Sequence, residues 1–183
     1  MGRMWVTLLA AQSLDGRITR HDEPGDDFSS PADKTWFREA MAGRDAWIMG
    51  GESYRWMRSQ RDAGEPWRDG LKRVVWTRSP ADYAAEAVPG RLEFSDATPA
   101  DLVARLAAAG CRRCALLGGA QVYGAFLAAG LVDEVIVTVE PRIFGGGRPL
   151  ADAPALDARL RLRDCTALAD GGAVRLTYTV LKS

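Results

Sequence analysis

Short apolar runs alternate with helical patterns along this chain, and that alternation limits the folds open to it more than any other feature. The run at 4–11, MWVTLLAA, is continuous and partly β-branched, as expected of a strand buried on both faces. Strands that alternate with helices predict an α/β fold with a largely parallel sheet. The last runs, 159–168 and 173–181, predict an antiparallel hairpin around Gly171 and Gly172, so the sheet is expected to be mixed. Five further strands are predicted at 46–51, 73–80, 91–96, 114–119 and 133–141.

Composition narrows the class of protein and its partners. The chain has 183 residues, and Lys plus Arg and Asp plus Glu number 24 each, so the formal net charge is zero. The length predicts one domain over residues 1–183, and the balanced charge argues against nucleic acid or a membrane surface as a partner. Three cysteines and one histidine predict neither a disulfide framework nor a metal site. With no signal-peptide pattern and no apolar stretch that could span a bilayer, a cytoplasmic location is expected.

Asp33 allows two interpretations. It lies in the first turn of a helix predicted between an N-cap at Ser30 and a stop at Gly43, where an acid is favoured by the helix dipole. It also lies at the head of the apolar face of that helix, where a carboxyl would be partly desolvated and suited to act as a general acid. The other members of that face, spaced by three, four and seven residues from it, are Trp36, Phe37 and Ala40.

Two predicted strands run directly into glycine pairs at the start of a helix. They are IMGGESY at 48–54 and LLGGAQVY at 116–123. Bare backbone at such a corner lets a diphosphate approach closely, and the free N–H groups of the helix start attract anions. A tight strand–helix corner without a ligand is the alternative for each, but two corners in one sheet can hold both ends of a dinucleotide.

A third strand end, WTRS at 76–79, carries two hydroxyls and a guanidinium. Thr77, Arg78 and Ser79 suit a phosphate monoester, such as the 2′-phosphate of NADP, better than a ribose diol. For Arg78 alone a solvated loop charge is the simpler interpretation. Three phosphate-compatible strand ends together favour a binder of the NADP type.

The order of these motifs, over nearly the whole chain, resembles the dihydrofolate reductase superfamily. PADKTWF at 31–37 resembles the helix that carries the substrate-facing acid, and the two glycine corners resemble the superfamily's cofactor corners. SLDGRI at 13–18 and the stretch at 130–150 are more similar to the riboflavin-pathway reductase, the C-terminal domain of the bacterial bifunctional deaminase-reductase. The resemblance implies a three-layer dihydrofolate reductase-like sandwich with a mostly parallel mixed sheet.

The resemblance also implies roles for individual residues. The catalytic group would be Asp33 as proton source, Thr138 as its hydrogen-bond partner, and Tyr123 beside the nicotinamide. The substrate would contact Ala10, Asp33, Phe37 and Met57. The cofactor, NADPH, would contact Ala11, Ile18, Gly50, Gly51, Glu52, Ser53, Thr77, Arg78, Ser79, Leu117, Gly118, Gly119, Ala120, Gln121, Val122 and Tyr123.

The expected function is therefore reduction of a small nitrogen heterocycle by NADPH, most like that of 5-amino-6-(5-phosphoribosylamino)uracil reductase. Dihydrofolate reductase proper is one alternative. A non-catalytic nucleotide-binding module that kept the corners is another, although Asp33, Tyr123 and Thr138 together argue against it. A homodimer is common in the riboflavin-type branch, so the resemblance allows one here.

Overall fold

The computed structural model describes residues 3–60, 69–169 and 172–182. None of the helices in those ranges has the length and apolar character needed to cross a lipid bilayer. The main elements, in chain order, are β1 (Trp5–Ser13), α1 (Pro31–Ala42), β2 (Ala46–Gly50), α2 (Gly51–Ser59), β3 (Lys72–Trp76), β4 (Leu92–Ser95), α3 (Pro99–Ala108), β5 (Arg113–Leu116), α4 (Ala120–Ala128), β6 (Glu134–Glu140), β7 (Leu160–Ala167) and β8 (Val174–Val180).

The eight strands form one sheet in the order β4-β3-β2-β5-β1-β6-β8-β7. The first six strands of that order are parallel, whereas β8 runs antiparallel to β6 and pairs with β7 in an antiparallel hairpin. The predicted mixed sheet is thereby confirmed. In the hairpin turn Gly171 lies outside the described residues, and Gly172 adopts a φ of +84°. Because the six parallel strands point the same way, their carboxyl ends share one edge of the sheet.

Helices cover both faces of the sheet, which gives the three predicted layers. Val6 and Leu8 of β1 pack in a core with side chains of α3 and α4, such as Leu102 and Phe126. Leu9, the next residue along β1, belongs to a second core that contains side chains of α1 and α2. Alternate residues of one buried strand therefore serve opposite cores, as the continuous apolar run predicted.

The four helices begin in two different ways. The Ser30 side chain caps α1 and the Thr98 side chain caps α3, each followed by proline at the first helical position. By contrast, the N-cap residues of α2 and α4 are Gly50 and Gly119, and neither helix receives a side-chain cap. The first-turn N–H groups of α2 and α4 are thus left without the side-chain partner that the other two helices have.

Carboxylates hold strands together at the amino edge of the sheet. Asp45, just before β2, accepts hydrogen bonds from the backbone N–H groups of Arg112 and Arg113 at 2.8 and 2.9 Å. The buried Asp133, just before β6, accepts one from the Val6 N–H at 2.9 Å and forms an ion pair with Arg3. These bonds join β2 to β5 and β6 to β1 at their starting ends.

Two strands end at least three residues earlier than the sequence predicted. β3 ends at Trp76 rather than at residue 80, and β5 ends at Leu116 rather than at residue 119. After β3 the chain forms a 3₁₀ helix, Pro80–Glu86, that the sequence pattern did not indicate. Pro80 has no N–H to continue a strand ladder and suits the first helical position. After β5, Gly118 adopts a φ of +85°, a left-handed conformation that suits glycine.

Candidate active site

A cavity of about 670 Å³ opens between α1, α2 and the face of the sheet that they cover. That volume is typical of a site for a small molecule. Glu52 and Arg148, which both line it, form an ion pair at 3.0 Å. The predicted site residues that line the cavity are Ala10, Ala11, Ile18, Asp33, Phe37, Glu52, Ser53, Met57, Leu117, Gly118, Gly119 and Tyr123.

The remaining predicted residues lie around the cavity rather than in its lining. Thr138 is buried behind Asp33, and Val122 packs in the core with its side chain against Gly50. Ala120 is buried, whereas Gln121 is exposed. The others outside the lining are Gly50, Gly51, Thr77, Arg78 and Ser79.

The Asp33 carboxylate does not cap its own helix. The cap comes from Ser30, whose Oγ accepts a hydrogen bond from the Asp33 N–H at 3.3 Å. The Asp33 carboxylate instead accepts a hydrogen bond from Thr138 Oγ1 at 2.5 Å, and both residues are buried. Burial raises the pKa of Asp33; the Thr138 hydrogen bond opposes that rise, and the charges of Glu140 and Asp26 add to it. A cavity-lining carboxyl with a raised pKa keeps its proton to a higher pH than a free carboxyl does, which suits it to act as a general acid.

The start of α3 provides a comparison for α1, because its cap involves only residues of its own first turn. Its pattern, TPAD at 98–101, repeats the pattern SPAD at 30–33. Thr98 Oγ1 accepts from the Asp101 N–H at 3.2 Å and donates to the Asp101 carboxylate at 2.7 Å, and Asp101 is exposed. The same four-residue pattern therefore leaves one acid in solvent and buries the other, and the difference comes from what each helix packs against.

The two glycine corners lie side by side at the carboxyl edge of the sheet. The Gly50 N–H donates to the Gly118 carbonyl at 2.7 Å, and the Leu117 N–H donates to the Ile48 carbonyl at 2.9 Å. The peptide bond between Gly118 and Gly119 is cis. A Cβ built on Gly119 would meet no atom within 4 Å, so the backbone there borders open space. Bare backbone beside uncapped helix starts is the arrangement that accepts an anion.

The end of β3 reaches the start of α2. A Cβ built on Gly51 would lie 3.6 Å from Thr77 Oγ1, which itself accepts a hydrogen bond from the Ser79 N–H at 3.3 Å. Arg78 and Ser79 are exposed, so their side chains are accessible. The structure thus brings the third strand end beside one corner, while the role predicted for these side chains stays a prediction.

Tyr123 lines the cavity, but its hydroxyl is already engaged. The hydroxyl donates to the Leu9 carbonyl at 2.5 Å, and burial raises the pKa of the phenol. Tyr123 therefore remains neutral and reaches from α4 across the carboxyl edge to β1. A Cβ on Gly118 would come within 2.9 Å of the Tyr123 ring, so this close packing requires glycine. The Tyr123 hydroxyl proton is thus directed at the Leu9 carbonyl, and the catalytic role predicted for this residue stays a prediction.

Three charged groups near Asp33 were missed from the sequence. Glu140, at the end of β6, is buried and accepts a hydrogen bond from the Ser30 N–H at 2.8 Å; an acid closing an apolar strand was the available signal. Arg175 pairs with Thr138 in the sheet register, and its guanidinium lies 4.5 Å from the centre of the Trp36 ring. Asp26 lies in the polar loop at 20–29, where nothing distinguished it from its acidic neighbours.

Comparison with known proteins shows the family. A family model described as the RibD C-terminal domain matches residues 4–174. The uncharacterized protein YwjB of Bacillus subtilis (strain 168) is 29% identical over 178 residues, which are 94% of this chain and 96% of that protein.

Solved structures of reductases share the fold. The diaminohydroxyphosphoribosylaminopyrimidine deaminase/5-amino-6-(5-phosphoribosylamino)uracil reductase of Thermotoga maritima superposes with a TM-score of 0.72 at 16% identity, over 98% of this chain and 57% of that chain. Dihydrofolate reductase of Enterococcus faecalis, complexed with NADP(H) and RAB-propyl, superposes with a TM-score of 0.66 at 16% identity, over 97% of each chain. The predicted dihydrofolate reductase-like fold is confirmed. Within the described ranges, no group of three or more His, Cys, Asp and Glu side chains is placed to hold a metal ion.

Proposed function

The chain belongs to the RibD C-terminal domain family, and from that premise we propose that it is an NADPH-dependent reductase of a small nitrogen heterocycle, most like 5-amino-6-(5-phosphoribosylamino)uracil reductase. One observation carries the proposal. The buried Asp33 carboxyl, hydrogen-bonded to Thr138, lines the same cavity as the open backbone of Gly119. A proton source beside a place for a phosphorylated cofactor is the combination that a hydride-transferring reductase requires.

The residues around the cavity fit NADPH. The uncapped starts of α2 and α4 offer backbone N–H groups to the diphosphate, and Gly119 leaves room for it. The exposed Arg78 and Ser79, beside the start of α2, are accessible to a 2′-phosphate. When bound, the cofactor supplies the hydride.

The chain itself would supply orientation and a proton. Asp33 would donate its proton to the substrate atom that becomes basic as the hydride arrives, and the Thr138 hydroxyl, already directed at the carboxyl, would stabilise the carboxylate that remains. Phe37 and Met57 line the cavity and would form apolar walls for the ring. Tyr123, fixed by its bond to Leu9, would hold the corner in place beside the reacting groups.

The test is NADPH oxidation by the purified chain with two substrates, 5-amino-6-(5-phosphoribosylamino)uracil and dihydrofolate. Faster oxidation with the aminouracil supports the proposal, and faster oxidation with dihydrofolate supports the dihydrofolate reductase alternative. NADPH binding without oxidation of any pterin or aminopyrimidine would favour the non-catalytic module. Absence of NADPH binding would overturn the proposal.

The homodimer and the cytoplasmic location stay predictions. Sedimentation velocity of the purified chain tests the first, because a homodimer doubles the mass of 19.9 kDa. Fractionation of cells that express the chain tests the second.

A further inference from the structure

We propose that Asp26 is a second recognition carboxylate of the cavity, so that the substrate presents an amino-rich or positively charged ring edge to Asp26 and Asp33 together. The inference rests on the proposed function, because it names the chemical class of substrate that the same cavity takes. It goes beyond that function by assigning a role to a loop residue.

Asp26 lines the cavity together with Asp33 and Tyr123. No side chain of the described residues donates a hydrogen bond to the Asp26 carboxylate or forms an ion pair with it within 4 Å. Glu140 and Asp33 differ in this respect. Glu140 accepts a hydrogen bond from the Ser30 N–H, and Asp33 accepts one from the Thr138 hydroxyl. The Asp26 carboxylate accepts a hydrogen bond from its own backbone N–H, and its remaining acceptor capacity is available to a ligand.

The loop that carries Asp26 is held over the cavity at both ends and in its middle. At its start, Thr19 Oγ1 accepts a hydrogen bond from the Arg148 N–H at 2.9 Å, and at its end the Ser30 N–H is held by Glu140. In its middle, a Cβ built on Gly25 would lie 2.3 Å from the indole nitrogen of Trp56 on α2, so the backbone there packs directly on the ring. These contacts place Asp26 at the cavity wall between α1 and α2 rather than in free solvent.

Negative charge exceeds positive charge around the Asp26 and Asp33 carboxyls. Burial raises the pKa of Asp26 and the charge of Asp27 adds to that rise, whereas the exposed Lys34 of α1 and the backbone N–H of Asp26 itself oppose it. The Asp26 charge in turn raises the pKa of Asp33 and of Tyr123. Two other charged groups act on Asp33: Glu140 of β6 raises its pKa, and Arg175 of β8 lowers it. Two carboxyls that repel each other in one cavity favour a ligand that brings N–H donors or positive charge to both.

Asp27 offers a matched control one residue away. Its side chain is 70% exposed and pairs with Arg20 at 3.6 Å, and it does not line the cavity. Asp26→Asn and Asp27→Asn make the same chemical change at adjacent positions of the same loop. Thermal melting of both variants checks that each retains the fold.

The experiment is a binding titration with two probes, 2,4-diaminopyrimidine and uracil, near neutral pH with and without NADPH. Trp36, Trp47 and Trp56 line the cavity, so quenching of tryptophan fluorescence reports binding. Asp26→Asn should weaken binding of the diaminopyrimidine by about tenfold or more, which is the usual effect of losing a charge-assisted hydrogen bond. Binding of uracil should be unchanged. Asp27→Asn should change neither.

Three results would overturn the inference. They are equal effects of Asp26→Asn and Asp27→Asn on the diaminopyrimidine, equal weakening of both probes by Asp26→Asn, and no binding of the diaminopyrimidine by the wild-type chain. The proposed function fails separately, through the NADPH arm. If binding of the diaminopyrimidine depends on Asp26 but NADPH does not bind, the inference about Asp26 is supported and the proposed reductase function is refuted.

Discussion

The substitution Asp33→Asn removes an ionisable proton from the cavity and changes little else. Asn matches Asp in size, and its side-chain oxygen can still accept the hydrogen bond that Thr138 Oγ1 now makes at 2.5 Å. The helix cap survives, because Ser30 holds the backbone N–H of residue 33 and not its side chain. If Asp33 is the proton source, turnover should fall by roughly 10²–10⁴-fold, with the greatest loss at high pH and with unchanged NADPH affinity.

The same substitution should also change the pH dependence of stability. Because burial raises the folded-state pKa of Asp33, the ionised carboxylate is disfavoured in the fold. The wild-type chain should therefore lose stability as the pH rises from the unfolded pKa, about 3.9, through the raised folded pKa. Asp33→Asn avoids that loss, so it should melt above wild type near pH 7 and together with it near pH 3. Each unit by which the pKa is raised corresponds to a loss of about 1.4 kcal/mol in the free energy of unfolding. Each kcal/mol of that loss lowers the melting temperature by about 2–4 °C.

The control is Asp101→Asn, which makes the same change at the equivalent position of α3. Asp101 is exposed and contacts the Thr98 hydroxyl, so turnover should not change. Stopped-flow NADPH oxidation across pH and calorimetric melting measure both effects. Wild-type turnover in Asp33→Asn would refute the role as proton source, and identical melting of wild type and Asp33→Asn near pH 7 would refute the argument from burial.

Four further substitutions test the cofactor corners and the helix starts. Arg78→Ala should weaken NADPH binding about tenfold or more, since a charge-assisted contact contributes roughly 1.5–3 kcal/mol. NADH binding should be unchanged. Equal losses of affinity in fluorescence titrations of the two cofactors would contradict a 2′-phosphate contact. Gly119→Val should keep a cooperative melt, because a Cβ there meets no atom within 4 Å, but should abolish NADPH binding; normal binding would mean that the corner is structural only. Ser30→Ala should lower the free energy of unfolding by about 1 kcal/mol through loss of the α1 cap, with Thr98→Ala as the comparison on α3 in urea denaturation; no loss in either variant would contradict the capping argument.

Local patterns were sufficient for most of the fold. The N-caps at Ser30 and Thr98 and the prolines that follow them satisfy their helix starts within four residues, so tertiary contacts are not needed to locate them. The continuous apolar run of β1 predicted burial on both faces, and the two core clusters bear that out. The glycine corners were visible for the same reason, since the requirement for bare backbone is local.

The rest of the site depends on contacts between distant segments. SPAD and TPAD are equivalent as local signals, and only packing of α1 against β6 makes Asp33 differ from Asp101. Recognition of Thr138 required the family resemblance, because its partner lies 105 residues earlier in the chain. Glu140 and Asp26 were missed since their positions follow from how a polar loop and a strand end meet, which no periodicity records.

The two edges of the sheet use their polar groups in opposite ways, and this has a consequence for tolerance to mutation. At the amino edge, Asp45 and Asp133 occupy backbone N–H groups of neighbouring strands. At the carboxyl edge, the N–H groups at the starts of α2 and α4 receive no side-chain cap. In a saturation-mutagenesis map, substitutions at Asp45 and Asp133 should reduce protein abundance. Substitutions at Ser53 and Gly119 should instead spare abundance and reduce activity, so the two edges would separate loss of the fold from loss of function.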